Sequence, residues 1–264
     1  MCLVLAFIIA VSYVQVALQA QANVTGLLAI PTSRSVKLSA LPAEGTATAV
    51  AAKTQVAKEP KGRIRTRDHG SWSYEASREE SGLVVATVRY DSKTAEGVRA
   101  YAAANKQLAE ELATSGNEAI VKVTFKKPFP VDAYRAWAAS SGVTQFDYVY
   151  TRVKNSAGRD GMFSVVVHSQ DPLPQSGLDS FMLSSKQLDN GPYTVLGVIY
   201  FEGRIAADRL VELSRDPNVF IADVTHNIVV AELVQDGIYL ADRTHVSPVA
   251  VFGVLESLGL HNFK

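Results

Sequence analysis

The sequence has a single cysteine, no excess of either charge and no catalytic motif, and each absence excludes a class of protein. The one thiol, Cys2, lies in an apolar opening, so the rest of the chain has no internal disulfide. Lysine and arginine number 26, as do aspartate and glutamate, which gives a net charge of zero. A balanced charge offers no general attraction for a polyanion, so we expect no nucleic-acid partner.

The histidines are too dispersed to indicate a metal site, because none of them share an element at metal-ligand spacing. They are His69, His168, His226, His245 and His261. Asp223 lies three residues before His226, and Asp242 three residues before His245, and each pair is a candidate for orienting an imidazole as a base. A regular strand would, however, send Asp223 and His226 to opposite faces.

Nucleophile and phosphate-binding motifs are also missing. No serine or cysteine sits in a glycine-rich elbow of the kind that activates a nucleophile. The turn Gly158–Gly161 lacks the lysine and the serine or threonine of a phosphate-binding loop. We therefore predict no catalytic, cofactor-binding or metal-binding residue, no cofactor, and a protein that is not an enzyme.

The opening segment, residues 1–22, is apolar and carries no charged side chain. Two membrane-directed interpretations compete for it. Ala20-Gln21-Ala22 is an acceptable signal-peptidase site, although no lysine or arginine precedes the apolar run as a signal peptide normally requires. A spanning helix needs about 20 apolar residues, and Leu3–Leu18 nearly suffices. We expect a retained anchor with the protein on the extracytoplasmic face, the alternative being secretion after cleavage following Ala22.

Residues 23–81 have the composition of a flexible linker. Pro42–Ala49 contains mainly small residues, which bury too little surface to offset the entropy of ordering. Lys58–Arg67 concentrates basic charge in a chain that is neutral overall. That cluster could bind anionic lipid headgroups or another polyanion, but a solvated linker is the interpretation we favour.

Residues 82–235 alternate strand and helix patterns and form the predicted body. Strands are indicated at 84–90, 119–126, 144–150, 162–168, 195–201, 219–224 and 228–233, and helices at 91–115, 131–140 and 206–213. Two strand-helix-strand halves with short helices favour an α+β fold, a ferredoxin-like open sheet with helices on one face. Residues 236–264 are predicted to be a C-terminal extension with an amphipathic helix within 246–260.

Two further segments are candidates for a recognition surface. Residues 169–192 are polar and proline-rich, and indicate a long excursion from the core that is either functional or a plain surface insertion. The aromatic residues Phe129, Trp137, Tyr148 and Tyr150 could form a stacking platform, but their helix and strand spacing favours core packing.

A family resemblance appears in residues 197–224. The run GVIYFEG from Gly197, followed by AADRLVELSRDPNVFIADV from Ala206, resembles the second half of subtilisin-type protease propeptides and inhibitors. The resemblance implies a ferredoxin-like half and an ability to inhibit a protease. The tail that enters the protease in that family has no counterpart in the apolar run 228–233.

Together these patterns predict a non-catalytic interaction or sensing module outside the cytoplasm. It would meet the membrane through residues 1–22 and bind a protein partner that the sequence does not identify. The alternative is a protease inhibitor or propeptide-like module.

Overall fold

The described residues form a mixed α+β fold with two sheets and six α-helices. A computed structural model describes residues 61–187, 193–239, 241–247 and 251–260. The anchor or signal expected at residues 1–22, and the linker as far as residue 60, lie outside the described residues. Of the helices that are described, none is both long enough and apolar enough to span a membrane.

The elements follow one another along the chain in a strand-rich order. The strands are β1 (Gly62–Asp68), β2 (Trp72–Arg78), β3 (Val84–Tyr90), β4 (Glu118–Phe129), β5 (Val143–Asn155), β6 (Asp160–Ser169), β7 (Tyr193–Ala206), β8 (Val219–Asp223) and β9 (Thr244–Ser247). The helices are α1 (Ala95–Ala113), α2 (Val131–Ala138), α3 (Gln175–Gln187), α4 (Leu210–Arg215, after a 3-10 turn), α5 (Thr225–Gln235) and α6 (Val251–Ser257).

The smaller sheet has the strand order β1-β2-β3-β9. Strands β1, β2 and β3 form an antiparallel meander, and β9 returns from the far end of the chain to pair parallel with β3. On β2 the side chains of Trp72, Tyr74 and Ala76 are buried while the residues between them are less so. This sheet therefore has one face on a core, in agreement with the period-two alternation of a half-buried strand.

Residues 62–78 form β1 and β2, although the composition favours a flexible linker as far as residue 81. The sequence pattern does not predict β1, because charged residues at alternate positions are also typical of a solvated segment. The strand becomes stable through its neighbours: it pairs with β2 along its whole length. The described fold therefore begins about twenty residues before the body that the sequence indicates.

The larger sheet has the strand order β6-β5-β7-β4-β8, and every neighbouring pair is antiparallel. Three strand-helix-strand units build it. The units β4-α2-β5, β6-α3-β7 and β7-α4-β8 each join two parallel strands with one antiparallel strand between them. The helical connections supply the chain length that such crossovers need.

Helices α1 to α4 pack on one face of the larger sheet. Ala119, Val121, Val123 and Phe125 of β4 point toward them and are buried, as the alternation in the sequence predicts. Helix α1 lies between two cores. Its Leu112 end packs with the larger sheet, while its Tyr101 end packs with the smaller one. Each fully buried side chain of this size contributes about 2 kcal/mol through removal from water.

Helix α6 contacts the opposite face of the larger sheet, which differs from the arrangement with helices on one face only. Its Phe252 packs against Ile199, Tyr200 and Tyr150. Val251 of the same helix packs in the core of the smaller sheet. This short helix thus joins the two sheets on the side away from helices α2 to α4.

Two other segments differ from their sequence patterns. Residues 228–233 are helical and belong to α5, whose Val229 and Leu233 pack four residues apart against the smaller sheet. β-branched residues favour a strand only where a strand edge is free to accept them. Within residues 169–192, Gln175–Gln187 is a helix whose Leu178 reaches the core, so this segment is not an excursion throughout.

Candidate interaction surface

The face of the larger sheet opposite α2 to α4 carries tyrosine and charged side chains. We call it the tyrosine face and define it by Lys122 of β4, Tyr148 and Tyr150 of β5, and Tyr200 and Glu202 of β7. In the strand register Tyr150 lies opposite Tyr200, and Glu202 lies opposite both Tyr148 and Lys122. Side chains opposite each other on one face of a sheet are close enough to interact, so these five form one cluster.

Stacking and an ion pair hold the centre of the tyrosine face. The rings of Tyr150 and Tyr200 are nearly parallel, with centroids 4.0 Å apart. Lys122 Nζ lies 2.8 Å from Glu202 Oε1 and 5.4 Å from the centroid of the Tyr200 ring. Burial and a hydrogen bond to Tyr150 raise the pKa of Tyr200. Its hydroxyl therefore stays protonated at neutral pH and serves as a hydrogen-bonding group, not as a base.

The outer part of this face, on β6, is open to solvent. Met162 is 52% exposed and Val166 is 51% exposed, and Ser164 between them is also exposed. The register places Val166 beside Tyr148 and Ser164 beside Tyr150. We call Met162, Ser164 and Val166 the open margin. The register also places Met162 beside Arg152. The open margin is thus more exposed than the tyrosine face beside it.

Helix α6 lies over part of the tyrosine face, where Phe252 packs with Tyr150 and Tyr200. Arg152 forms an ion pair with Glu256 of α6 at 2.6 Å, and its guanidinium lies 5.8 Å from the centroid of the Phe252 ring. Burial raises the pKa of Glu256, while the charge of Arg152 lowers it. This corner is occupied by the protein's own helix, so the accessible surface lies toward β6.

His226 lies in the first turn of α5, in a cationic environment. Burial lowers its pKa to about 4, and the charges of His245, Arg204 and Lys122 act in the same direction. The imidazole is therefore neutral at neutral pH. A catalytic base needs a pKa near the working pH and a partner that orients it. The pKa of His226 lies well below neutral pH, and Asp223 does not orient its imidazole.

Asp223 has structural partners instead. Its carboxylate accepts hydrogen bonds from Tyr101 Oη at 2.7 Å and from both the hydroxyl and the backbone N–H of Thr225. Within the described residues, no hydrogen bond or ion pair joins Asp223 to His226 or Asp242 to His245. The spacing of three residues in the sequence thus does not produce a carboxylate–imidazole pair at either place.

The described residues contain no cluster of metal ligands. No group of three or more histidine, cysteine, aspartate or glutamate residues among them is arranged to hold an ion. Tyr101 and Tyr134, the most deeply buried phenols, have their pKa raised by burial. Both hydroxyls are therefore protonated and donate hydrogen bonds, Tyr101 to Asp223 and Tyr134 to the carbonyl of Pro172.

The basic stretch that includes β1 is neutralised by carboxylates. Lys61 pairs with Glu80 at 2.8 Å, and Arg63 pairs with Glu75 at 3.0 Å. Arg65 and Arg67 both pair with Asp236, in the loop after α5, at 2.9 and 3.1 Å. Each described cation of this stretch thus has a carboxylate partner. The ion pairs of these cations, from Lys61 on, hold β1 to the body. Because the cations are neutralised, they leave little attraction for a polyanion.

A second set of side chains joins the β1–β2 turn to α5. The ring of His69 stacks on Trp72 at 4.0 Å, and His69 Nε2 lies 3.5 Å from Glu232 Oε2. Burial acts to raise the pKa of Glu232, but the neighbouring His69, Tyr74 and Arg67 together act more strongly in the other direction, so its pKa is lowered. Glu232 is thus held ionised, as a structural ion pair requires.

The four aromatic residues of the suggested platform do not share a surface. Phe129 and Trp137 pack with Phe125 on the helix-covered face, where Trp137 Nε1 donates to Asp216 at 2.8 Å. Tyr148 and Tyr150 lie on the opposite face. The spacing of the sequence identifies Tyr148 and Tyr150 as one face of a strand and indicates β7 as a strand. It contains no signal that β7 pairs with β5 and completes the tyrosine face.

The chain matches no protein-family model, and comparisons with curated proteins and with solved structures found no match. The geometry described above is therefore the basis for a functional proposal.

Proposed function

We propose that the protein is a non-catalytic interaction module that acts outside the cytoplasm and meets a membrane through residues 1–22. The apolar, uncharged opening supports the location.

The observation that carries the binding role is the open margin beside the tyrosine face. Exposed Val166 lies opposite Tyr148, and exposed Met162 lies opposite Arg152 on the same face of the sheet. Tyrosine and methionine are enriched at protein interfaces, and contiguous exposed apolar groups mark contact sites. A protein surface with a few apolar side chains and hydroxyl acceptors is the partner that fits this composition.

Site-specific photo-crosslinking tests this proposal. A benzophenone amino acid replaces Tyr148 in the full chain, in the cells that produce it, and the matched control replaces the exposed Glu111 of α1. We expect a discrete crosslinked product at position 148 that contains a second protein, that is absent at position 111 and that is lost when Val166→Lys is added. Equal labelling at the two positions would contradict the proposal.

A second candidate function follows from the strand order. Without β6 and α3, the elements β4-α2-β5 and β7-α4-β8 form a sheet ordered β8-β4-β7-β5. This is the order of a ferredoxin-like fold, with β6 and α3 inserted between its second and third strands. The resemblance of residues 197–224 to subtilisin-type propeptides falls on β7, α4 and β8. These two observations favour a protease-inhibitor or propeptide-like module as the alternative.

Inhibition assays separate the two functions. If the alternative holds, the purified full chain inhibits at least one of a panel of subtilisin-like proteases at about micromolar concentration. Digestion of the chain without inhibition by every member of the panel would eliminate it. Residues 225–235 after β8 are helical, whereas an inhibitory tail must be extended, so the interaction module is our conclusion.

A further inference from the structure

Strand β6 is a long, regular edge strand. It lies at the end of the described five-stranded sheet and pairs with β5 from Asp160 to Val166 without a register shift. Native edge strands are normally protected by a lysine, a proline, a bulge or a covering element. The segment from Gly161 to Val167, GMFSVVV, contains no charged residue and no proline. No strand of the described residues pairs with its outer side, so its outer backbone groups can pair with another strand.

The exposed side chains of β6 are arranged symmetrically. Met162 and Val166 lie two residues on either side of Ser164, and all three point to the same face. In an antiparallel pair centred on Ser164, each residue lies opposite the residue of the second copy that is equally far from Ser164 on its other side. Met162 then lies opposite Val166 of the partner subunit, and Ser164 lies opposite its own copy.

We propose that β6 pairs antiparallel with β6 of a second copy of this chain, about a two-fold axis at Ser164. The pairing covers each exposed Met162 with the partner's Val166, and the reverse, because an isologous contact makes every interaction twice. It also satisfies the outer backbone groups of both strands and joins two five-stranded sheets into one of ten strands. An unrelated strand would gain the backbone bonds but not this match of side chains.

The small side chain at the axis fits the same arrangement. Residues directly opposite in an antiparallel pair have Cα atoms about 4.5 to 5.5 Å apart, so a bulky or charged residue facing its own copy would clash or repel. Serine causes neither problem and offers a hydroxyl to the other hydroxyl. The half-buried Tyr148 and Tyr150 beside β6 keep the exposure they have, since the new strand adds to the edge and not to the face.

Disulfide trapping tests the register. In the full chain with Cys2→Ser, the variant Ser164→Cys places two thiols opposite each other, within the Cα separation of about 4.4 to 6.8 Å that a disulfide needs. The control Met162→Cys places its two thiols four residues apart along the strands, roughly 13 Å, which is too far. We expect a covalent dimer from Ser164→Cys and none from Met162→Cys under the same oxidation. Equal cross-linking of the two variants would overturn the proposal.

Sedimentation measures the association itself. Val166→Lys places a charge against Met162 of the partner subunit and should weaken dimerisation at least tenfold. The matched control is Leu183→Lys, which alters a side chain that is 63% exposed and belongs to α3 and not to β6. We expect the control to dimerise like the unmodified chain. A chain that is monomeric at about 100 μM, or that is equally affected by both substitutions, contradicts the proposal. Cross-linking of Ser164→Cys to a different protein only would also overturn it.

Discussion

His226 shows how strongly the fold changes the chemistry of one side chain. The imidazole lies in the first turn of α5, largely removed from water, with Lys122, Arg204 and His245 as its charged neighbours. Its folded-state pKa of about 4 lies below the ordinary 6.5. A group whose pKa is lowered on folding binds fewer protons in the folded state, so its contribution to stability is complete above 6.5 and is lost as the pH falls toward 4.

We therefore expect acid to destabilise the protein through His226. Between pH 8 and pH 5 the free energy of unfolding should fall by about 2 kcal/mol on account of this residue. Urea titrations at the two pH values measure the loss. In His226→Gln the loss should be smaller by that amount, and the difference between the variants at pH 8 corrects for altered packing. An identical pH dependence in both proteins would show that His226 is not the group responsible.

The side chain of Asn227, the residue after His226, takes the place of a neighbouring strand beside β4. Strand β8 pairs with β4 only as far as Asp223, opposite Lys122. Beyond that point the carboxamide of Asn227 accepts from the N–H of Ile120 at 3.0 Å and donates to its carbonyl at 2.7 Å. One side chain thus completes the backbone hydrogen bonds of β4 where α5 begins, and lets the chain turn from the sheet into the helix without leaving these groups unpaired.

At the scale of elements, β1 depends on its contact with α5 and the residue after it. It is an edge strand, and its outer side has no neighbouring strand among the described residues. Arg65 and Arg67 of β1 hold Asp236, and the His69 turn holds Glu232. Because these carboxylates are less exposed than those on the outer surface, the ion pairs contribute more than exposed ones do.

Substituting Asp236 tests this fastening. Asp236→Ala leaves two guanidinium groups without their shared carboxylate, so the free energy of unfolding should fall by about 1 to 2 kcal/mol. Amide hydrogen exchange in residues 62–68 should rise more than in β4. The matched control is Glu80→Ala, which removes the exposed partner of Lys61 and should cost less than about 0.5 kcal/mol. If the two substitutions have equal effects, Asp236 does not fasten β1.

At the scale of the whole molecule, the smaller sheet needs both ends of the described chain. Strands β1 and β2 come from the beginning of the described chain, and β9 comes from near its end. Strands β2 and β9 pair with β3 on its two sides, and β1 pairs with β2. Trp72 and Tyr74 of β2 pack in one core with Tyr101 of α1 and Leu255 of α6. Residues 82–235 are therefore not an independent unit in this structure, since their α1 surface is covered by strands that lie outside that range.

Truncation distinguishes the two boundaries. A chain that begins at Lys61 keeps both sheets and should unfold cooperatively on heating. A chain that begins at Gly82 loses Trp72, Tyr74 and Ala76, whose burial is worth about 2 kcal/mol for each large side chain. That loss, together with two missing strands, is comparable with the whole stability of a typical domain. We expect no cooperative transition by circular dichroism for the shorter chain, and a transition like that of the longer chain would support the boundary at residue 82.

The tyrosine face illustrates where sequence reasoning stops. The alternation of Tyr148 and Tyr150 places them on one face of a strand, but their partners Tyr200 and Glu202 are about fifty residues away. No local pattern states which strands become neighbours. The same limit applies to Ser164, whose place at the centre of two exposed apolar residues matters only because β6 is at the edge of its sheet.

The sequence by itself determined the elements whose side chains repeat with a clear period. The strict alternation of residues 119–125 and the helical spacing of Val98, Tyr101 and Leu112 each identify the structure and its buried face, because one local period selects one local geometry. The strands at 62–78 and the helix at 228–233 were decided by tertiary structure. In both places local composition favours another state, and hydrogen bonds and burial against segments distant in sequence supply the free energy that selects the observed one.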